Sequence, residues 1–161
     1  MNFKEKIIEI YKENKLKTFF LIGLFLSLII SLMYLNIHDQ KKNKIIAEKY
    51  IEAGIYLASN KKEKSRIIYE EIILSKNEFY SILALNTILE NKLISDEKKL
   101  LEFFEIVEKA NSSNYQKDLL TFKKGLFLLK ISKIKEGNDL LNSLVKSESK
   151  FKQLAEEVLT K

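Results

Sequence analysis

The chain has no cysteine, no proline and no tryptophan, and only four glycines and one histidine among its 161 residues. Without cysteine there is no disulfide framework, no thiolate metal site and no cysteine nucleophile. An oxidising compartment is therefore neither required nor excluded. The scarcity of proline and glycine removes the punctuation that strands and tight turns rely on. Leucine, isoleucine, lysine and glutamate fill the chain instead, and that composition predicts an all-α protein. Charge of one sign is scarce too. The net charge is +6, and residues 1–37 hold five lysines against three glutamates. Elsewhere lysine and glutamate interleave, as in Lys61-Lys62-Glu63-Lys64 and Lys133-Ile134-Lys135-Glu136. A nucleic-acid surface needs a one-signed face, arginine for bidentate contacts and aromatics for stacking. Arg66 is the single arginine, so no nucleic-acid partner is expected.

One long hydrophobic run is present. Residues Thr18 to Ile37 contain no Asp, Glu, Lys or Arg. At about 1.5 Å per residue such a stretch reaches roughly 30 Å, the thickness of a bilayer's hydrocarbon core. A core helix of a soluble protein would carry a polar stripe, whereas Ser27 and Ser31 are the interruptions here. A cleavable signal would be shorter and end on small residues. This run leaves through Met33-Tyr34-Leu35-Asn36-Ile37-His38, whose bulk a signal peptidase does not accept. The expectation is a retained signal anchor crossing the membrane once, with Tyr34 at an interface. Lysines before the run (4, 6, 12, 15 and 17) and after it (41, 42, 44 and 49) number five against four, a narrow preference for an inside N-terminus. Phe3, Ile7, Ile8, Ile10 and Tyr11 among the early lysines suggest an amphipathic surface helix.

Beyond residue 40, apolar positions recur at helical spacing to the end. Ile46, Tyr50, Ala53 and Leu57 line a first helix; Ile67, Ile68, Ile72 and Ile73 a second; Phe79, Ile82, Leu83 and Leu89 a third. Leu100, Leu101, Phe104 and Val107 mark a fourth, Leu119, Phe122, Leu126 and Leu129 a fifth. Leu140, Leu141, Leu144 and Val145 form a sixth, and Phe151, Leu154, Ala155 and Val158 a short last one. Caps are expected at Asn60 with Glu63, at Ser95-Asp96-Glu97, and at Ser113 with Gln116. Short connections make neighbouring helices antiparallel hairpins.

A shift of 34 residues places Ser65, Tyr69, Ile72 and Asn77 on Lys99, Phe103, Ile106 and Asn111. The tetratricopeptide repeat has that period, with small, large, small, aromatic and small residues, and often a proline, at six set positions of two helices. In the first unit those positions are Ala53, Tyr56, Ser65, Tyr69, Ile72 and Asn77. The middle unit reads Thr87, Glu90, Lys99, Phe103, Ile106 and Asn111, a poor match at three places. The third reads Gly125, Leu128, Gly137, Leu141, Leu144 and Ser149, displaced by 38 residues, which predicts a longer loop near 111–114. Small residues are needed where two helix axes cross closely, and Lys99 breaks that rule. The packing set is therefore Ala53, Ser65, Tyr69, Phe103, Gly125, Gly137 and Leu141.

Taken along its length, the chain resembles the membrane-anchored, tetratricopeptide-like ancillary subunit of the bacterial Sec translocon. The resemblance rests on the short Lys-rich N-terminus, the single anchor, AEKYIEAGIYLASNKKEKSRIIYEEII, YSILALNTILENKLISDEKKLLEFFEIVEKA and the closing FKQLAEEVL. It implies a cytoplasmic segment (1–17), an anchor (18–37) in the inner membrane and a periplasmic helical domain (38–161). It also implies association with translocon subunits and delivery of exported polypeptides to periplasmic chaperones. The chain is shorter at its C-terminus than the family it resembles, so an incomplete last repeat is expected.

Nothing catalytic accompanies this. His38 stands alone beside Asp39, and neighbours in sequence diverge on a helix. Glu70-Glu71 and Glu156-Glu157 diverge for the same reason, and no phosphate loop or nucleophile elbow occurs. The expectation is a non-enzyme without cofactor or metal. What remains is a concave surface of first helices, on which stacked repeats bind peptides. In this register it comprises Glu48, Tyr50, Ile51, Glu52, Tyr56, Leu83, Asn86, Thr87, Glu90, Phe122, Lys123 and Leu129. The sharpest candidates are Tyr50, Tyr56, Leu83, Asn86, Glu90, Phe122 and Lys123. An envelope scaffold for a division or outer-membrane assembly complex is the alternative use of that face. A short stack also leaves an end at Leu154, Val158 and Leu159, so self-association stays open.

Overall fold

The computed structural model describes the backbone of residues 15–147 and 149–160; the side chains of Lys15, Leu16, Thr18, Leu21, Leu32 and residues 34–39 are not among those described. The amphipathic segment expected before residue 12 therefore lies outside the described residues, as do the side chains of Tyr34 and His38. Among the described residues there are seven helices and no strand, as the composition predicts. They are α1 (Lys15–Ala58), α2 (Lys62–Leu74), α3 (Tyr80–Glu90), α4 (Glu97–Ala110), α5 (Asn114–Lys130), α6 (Ile134–Lys146) and α7 (Lys152–Leu159). The chain divides into two compact units, residues 1–44 and 45–161.

In the first unit, α1 exposes large apolar side chains on every side, among them Phe20, Phe25 and Ile30. Among the described residues no helix is long and apolar enough to cross a membrane. The expected anchor falls only partly within that set, since the side chains at 18, 21, 32 and 34–37 lie outside it.

In the second unit, the start and stop signals act as physics allows, though not always as the sequence suggests. Asp96 accepts from the Lys98 and Lys99 amides and caps α4. Asn60 does not cap α2: the N-cap is Lys61, which makes no side-chain cap bond. Asn60 instead adopts a left-handed φ of 57° just past α1. There its amide donates to Leu57 O and the next amide, Lys61, to Tyr56 O. This pair of bonds is the Schellman stop, which satisfies carbonyls the helix leaves orphaned. The same pair recurs after α3, from Lys92 to Leu89 and Leu93 to Ile88, and after α5, from Ser132 to Leu129 and Lys133 to Leu128. The Ser113–Gln116 capping box is not formed either; Ser113 is the N-cap but makes no side-chain cap bond. Glu78, from the α2–α3 connection, reaches over and accepts from the amide and hydroxyl of Ser112. A distant carboxylate thus ties the two connections together just before α5, and those bonds hold the Glu78 carboxyl below its usual range.

The extra four residues of the third unit are not in a longer loop. Ala110 and Asn114 bound a connection of three residues, whereas α5 runs 17 residues against 11 for α3. Four residues are close to one helical turn, so lengthening a helix adds a turn and keeps the buried face in phase.

Two apolar clusters form the core. The larger unites Ala53, Tyr69, Ile72, Ile73, Leu85, Ile88, Phe104, Val107 and Leu120 from α1 to α5. The smaller holds Leu141, Leu144, Phe151 and Ala155, packed by Leu119, Phe122 and Leu129. Helix α5 is the wall between them, giving Leu120 and Phe127 to one side and Phe122 and Leu129 to the other. Each fully buried large side chain contributes roughly 1.5–3 kcal/mol. On α7, Val158 and Leu159 join the smaller cluster while Leu154 stays exposed.

Candidate functional site

The site is built by the spacing of helices at their crossings. In α5–α6 the crossing pair is Gly125 and Gly137. A Cβ on Gly137 would stand 2.8 Å from Leu129 Cδ2 and 3.0 Å from the Gly125 carbonyl oxygen. The backbones approach closely there: Gly137 leaves no room for a Cβ, whereas one on Gly125 would meet Leu141 at 3.1 Å. In α1–α2 the equivalent residues are Ala53 and Ser65, both completely buried. Tyr69 fills the space beside them, its ring 5.5 Å from that of Tyr50. Burial pushes the Tyr69 phenol up, and Tyr50 adds to the effect.

The α3–α4 crossing is different. Its residues are Thr87 and Lys99, and neither is small and buried. Thr87 Oγ1 bonds back to Leu83 O and meets the Tyr50 hydroxyl at 3.3 Å. Lys99 is turned away, its ammonium 2.8 Å from Glu70 on α2 and 5.7 Å from the Phe103 ring. Glu70 also receives Arg66, which is paired with Glu63 as well. The bond from Arg66 holds Glu63 below the usual carboxylate range; the same bond raises the Arg66 guanidinium, with Glu70 adding to it. Lysine at a small-residue position is thus accommodated by a charged bridge between α2 and α4.

Beside this looser crossing lies a cleft of about 320 Å3 between α3, the α3–α4 turn, α4 and α5. Ile88 and Leu100 form its floor, with Leu89, Ile94, Leu126, Phe127 and Ile131 on the walls. Its polar groups are Asn86, Glu90, Lys92, Ser95, Glu97, Lys123 and Lys130. Lys123 Nζ lies 2.8 Å from Asn86 Oδ1, tying α5 to α3.

Of the candidates drawn from the sequence, Asn86, Glu90 and Lys123 meet at this cleft. The others stand elsewhere. Tyr50 is half-buried against Tyr69 and Tyr80, and Leu83 is half-buried on α3. Tyr56 lies under the ammonium groups of Lys61 and Lys64, at 5.8 and 5.7 Å. Phe122 stacks on Phe151 at 5.8 Å and is taken up by the smaller core. The sequence reading missed Lys92, Ile94, Leu100, Leu126 and Lys130. They come from second helices, a turn, or the far side of α5, where a rule about first helices does not look. The sign that could have found them was Lys99, which marks the crossing that has to open.

Among the described residues no group of three or more His, Cys, Asp or Glu could hold a metal ion. No protein-family model, no curated protein and no solved structure matches this chain. The site is therefore read from its own chemistry: an apolar trough with mixed charges at its rim.

Proposed function

We propose that this protein is a single-pass membrane-anchored interaction subunit with a tetratricopeptide-like stack of helices. In this reading it works beside the bacterial Sec translocon and helps pass translocated polypeptides to periplasmic chaperones. Its N-terminus is cytoplasmic, its helical domain periplasmic, and it performs no chemistry of its own.

The observation that supports the anchor is the exposed apolar surface of α1. Ten large apolar side chains between Phe19 and Met33 are exposed. Burying such area is worth about 25 cal/mol per Å2, and a helix apolar all round is stable only when lipid or protein covers it. The uncharged length of Thr18–Ile37 suits lipid. Support for the interaction role comes from the cleft, which joins an apolar floor to polar groups that fix orientation. The three crossings at Ala53/Ser65, Thr87/Lys99 and Gly125/Gly137 support the repeat-like stack.

The test is a photo-crosslinker placed at Glu90 or Tyr56 in intact cells, with adducts identified by mass spectrometry. Translocon subunits, exported chains or periplasmic chaperones are the expected adducts. Adducts confined to division or cell-wall proteins would move the same surface to the alternative role of an envelope scaffold. Recovery of the protein in the soluble fraction would remove the anchor.

A further inference from the structure

The rim of the cleft carries charges of both signs, and burial decides which of them matters. Glu90, Lys92, Glu97 and Lys130 are exposed and make no ion pair among the described residues. Water solvates such groups well, and pairing them gains little. Lys123 is half-buried, and its partner among the described residues is a neutral amide oxygen, that of Asn86. An ammonium has three donors, and a partly desolvated cation without a counter-charge is left in an unfavourable position. Next to it, Leu126 presents an exposed apolar side chain over Phe127 and the buried Ile88. Lys130, seven residues on from Lys123, extends positive charge along the same face of α5.

We infer that the cleft binds a polypeptide segment that carries an apolar side chain beside a carboxylate. The apolar group enters between Leu126 and the α4 floor, and the carboxylate receives Lys123. This rests on the interaction-surface reading above and names its ligand. The volume fits the assignment: about 320 Å3 holds two or three side chains and excludes a folded domain. The bound carboxylate also supplies the counter-charge that Asn86 lacks, so that both partners of the hydrogen bond are charged.

The experiment uses the purified full chain in lipid nanodiscs and two fluorescein-labelled peptides, SLFELG and SLFQLG, read by anisotropy. The acidic peptide should bind about tenfold tighter at low salt, a factor that falls as salt screens the pair. Lys123→Met should abolish the discrimination, Lys123→Arg should retain it, and Leu126→Asp should weaken both peptides. Equal affinity of the unaltered chain for the two peptides, which needs no variant, would overturn the inference. It would leave the adaptor reading standing, because an apolar segment would still bind. Failure of the acidic peptide to bind would also overturn it, while the cellular cross-links test the adaptor reading separately.

Discussion

The α3–α4 and α5–α6 hairpins solve the crossing of their two helices in opposite ways. In α5–α6, Gly125 and Gly137 bring the backbones into contact, and Leu129 and Leu141 close over the junction. In α3–α4, Thr87 and Lys99 stand at the junction, Lys99 leaves to join Glu70, and a cleft opens beside it. Close contact gives rigidity at the cost of a binding surface. A charged residue at the crossing does the reverse. The difference teaches that the hairpin with the less regular crossing is the one with room for a partner.

The comparison breaks most visibly if one side chain is put at both places. Gly137→Leu forces a large group against Leu129 and the Gly125 backbone, and overpacking of that kind should cost about 3 kcal/mol. Lys99→Leu exchanges one long side chain for another and gives up a part-exposed ion pair, a loss of less than about 1 kcal/mol. Urea denaturation of the two variants followed by circular dichroism measures both. Equal losses would mean that the crossings do not differ in tightness. Within the closed crossing the same logic ranks the glycines. Gly137→Ala meets side chain at 2.8 Å and backbone at 3.0 Å, whereas Gly125→Ala meets Leu141 at 3.1 Å. The former should cost roughly 1–2 kcal/mol, and the latter should come close to neutral once the better helix propensity of alanine offsets it.

Much of this was legible beforehand. The helices could be read from apolar spacing, and Ala53, Ser65, Gly125 and Gly137 from a period, because both signals are local or repeat along the chain. Lys99 was legible as an anomaly but not as a bridge, since Glu70 lies 29 residues away and nothing local pairs them. Asp96 caps α4 as expected, and the other two caps failed for a related reason. Asn60 and Glu63 have the spacing of an N-cap pair, yet the left-handed stop of α1 claimed Asn60 first. Ser113 makes no side-chain cap bond, and the contact beside it is made by Glu78, from a different connection, to Ser112. Of the candidate surface, residues on α3 and α5 were reachable from the register, while the floor on α4 needed three dimensions.

Glu78 gives a test that depends on pH. The Ser112 amide and hydroxyl hold its carboxyl below the ordinary value of 4.5. A depressed folded value means that the stabilisation is fully present above about pH 4.5 and is lost as pH falls through the folded value. The urea midpoint should therefore decline below that pH. Arg66 holds Glu63 down in the same way, so Glu78→Gln should remove part of the decline and leave the remainder. Unchanged pH dependence in Glu78→Gln would mean that the contact across the two connections carries no stability. Because Glu78 tethers the loose hairpin at its ends, its loss should also raise amide exchange in α4 more than in α6.

The smallest effect concerns the turns that both hairpins share. Lys92 ends the helix of the open hairpin at φ 50°, and Ser132 ends that of the closed one at φ 63°. A side chain with a Cβ is strained at either angle, whereas glycine is not. Lys92→Gly and Ser132→Gly should each stabilise the chain by about 0.5–1 kcal/mol, because relief of strain outweighs the added freedom of the unfolded glycine. Asn60→Gly, at φ 57°, should gain less, since asparagine tolerates this region better than lysine or serine. The sharper comparison is between the first two. If the open hairpin already relaxes its turn, Lys92→Gly will gain less than Ser132→Gly in the same urea titration. Equal gains would mean that the two left-handed helix stops are strained alike, and that the hairpins differ in the crossing at Thr87 and Lys99 and in connection length, not in these stops.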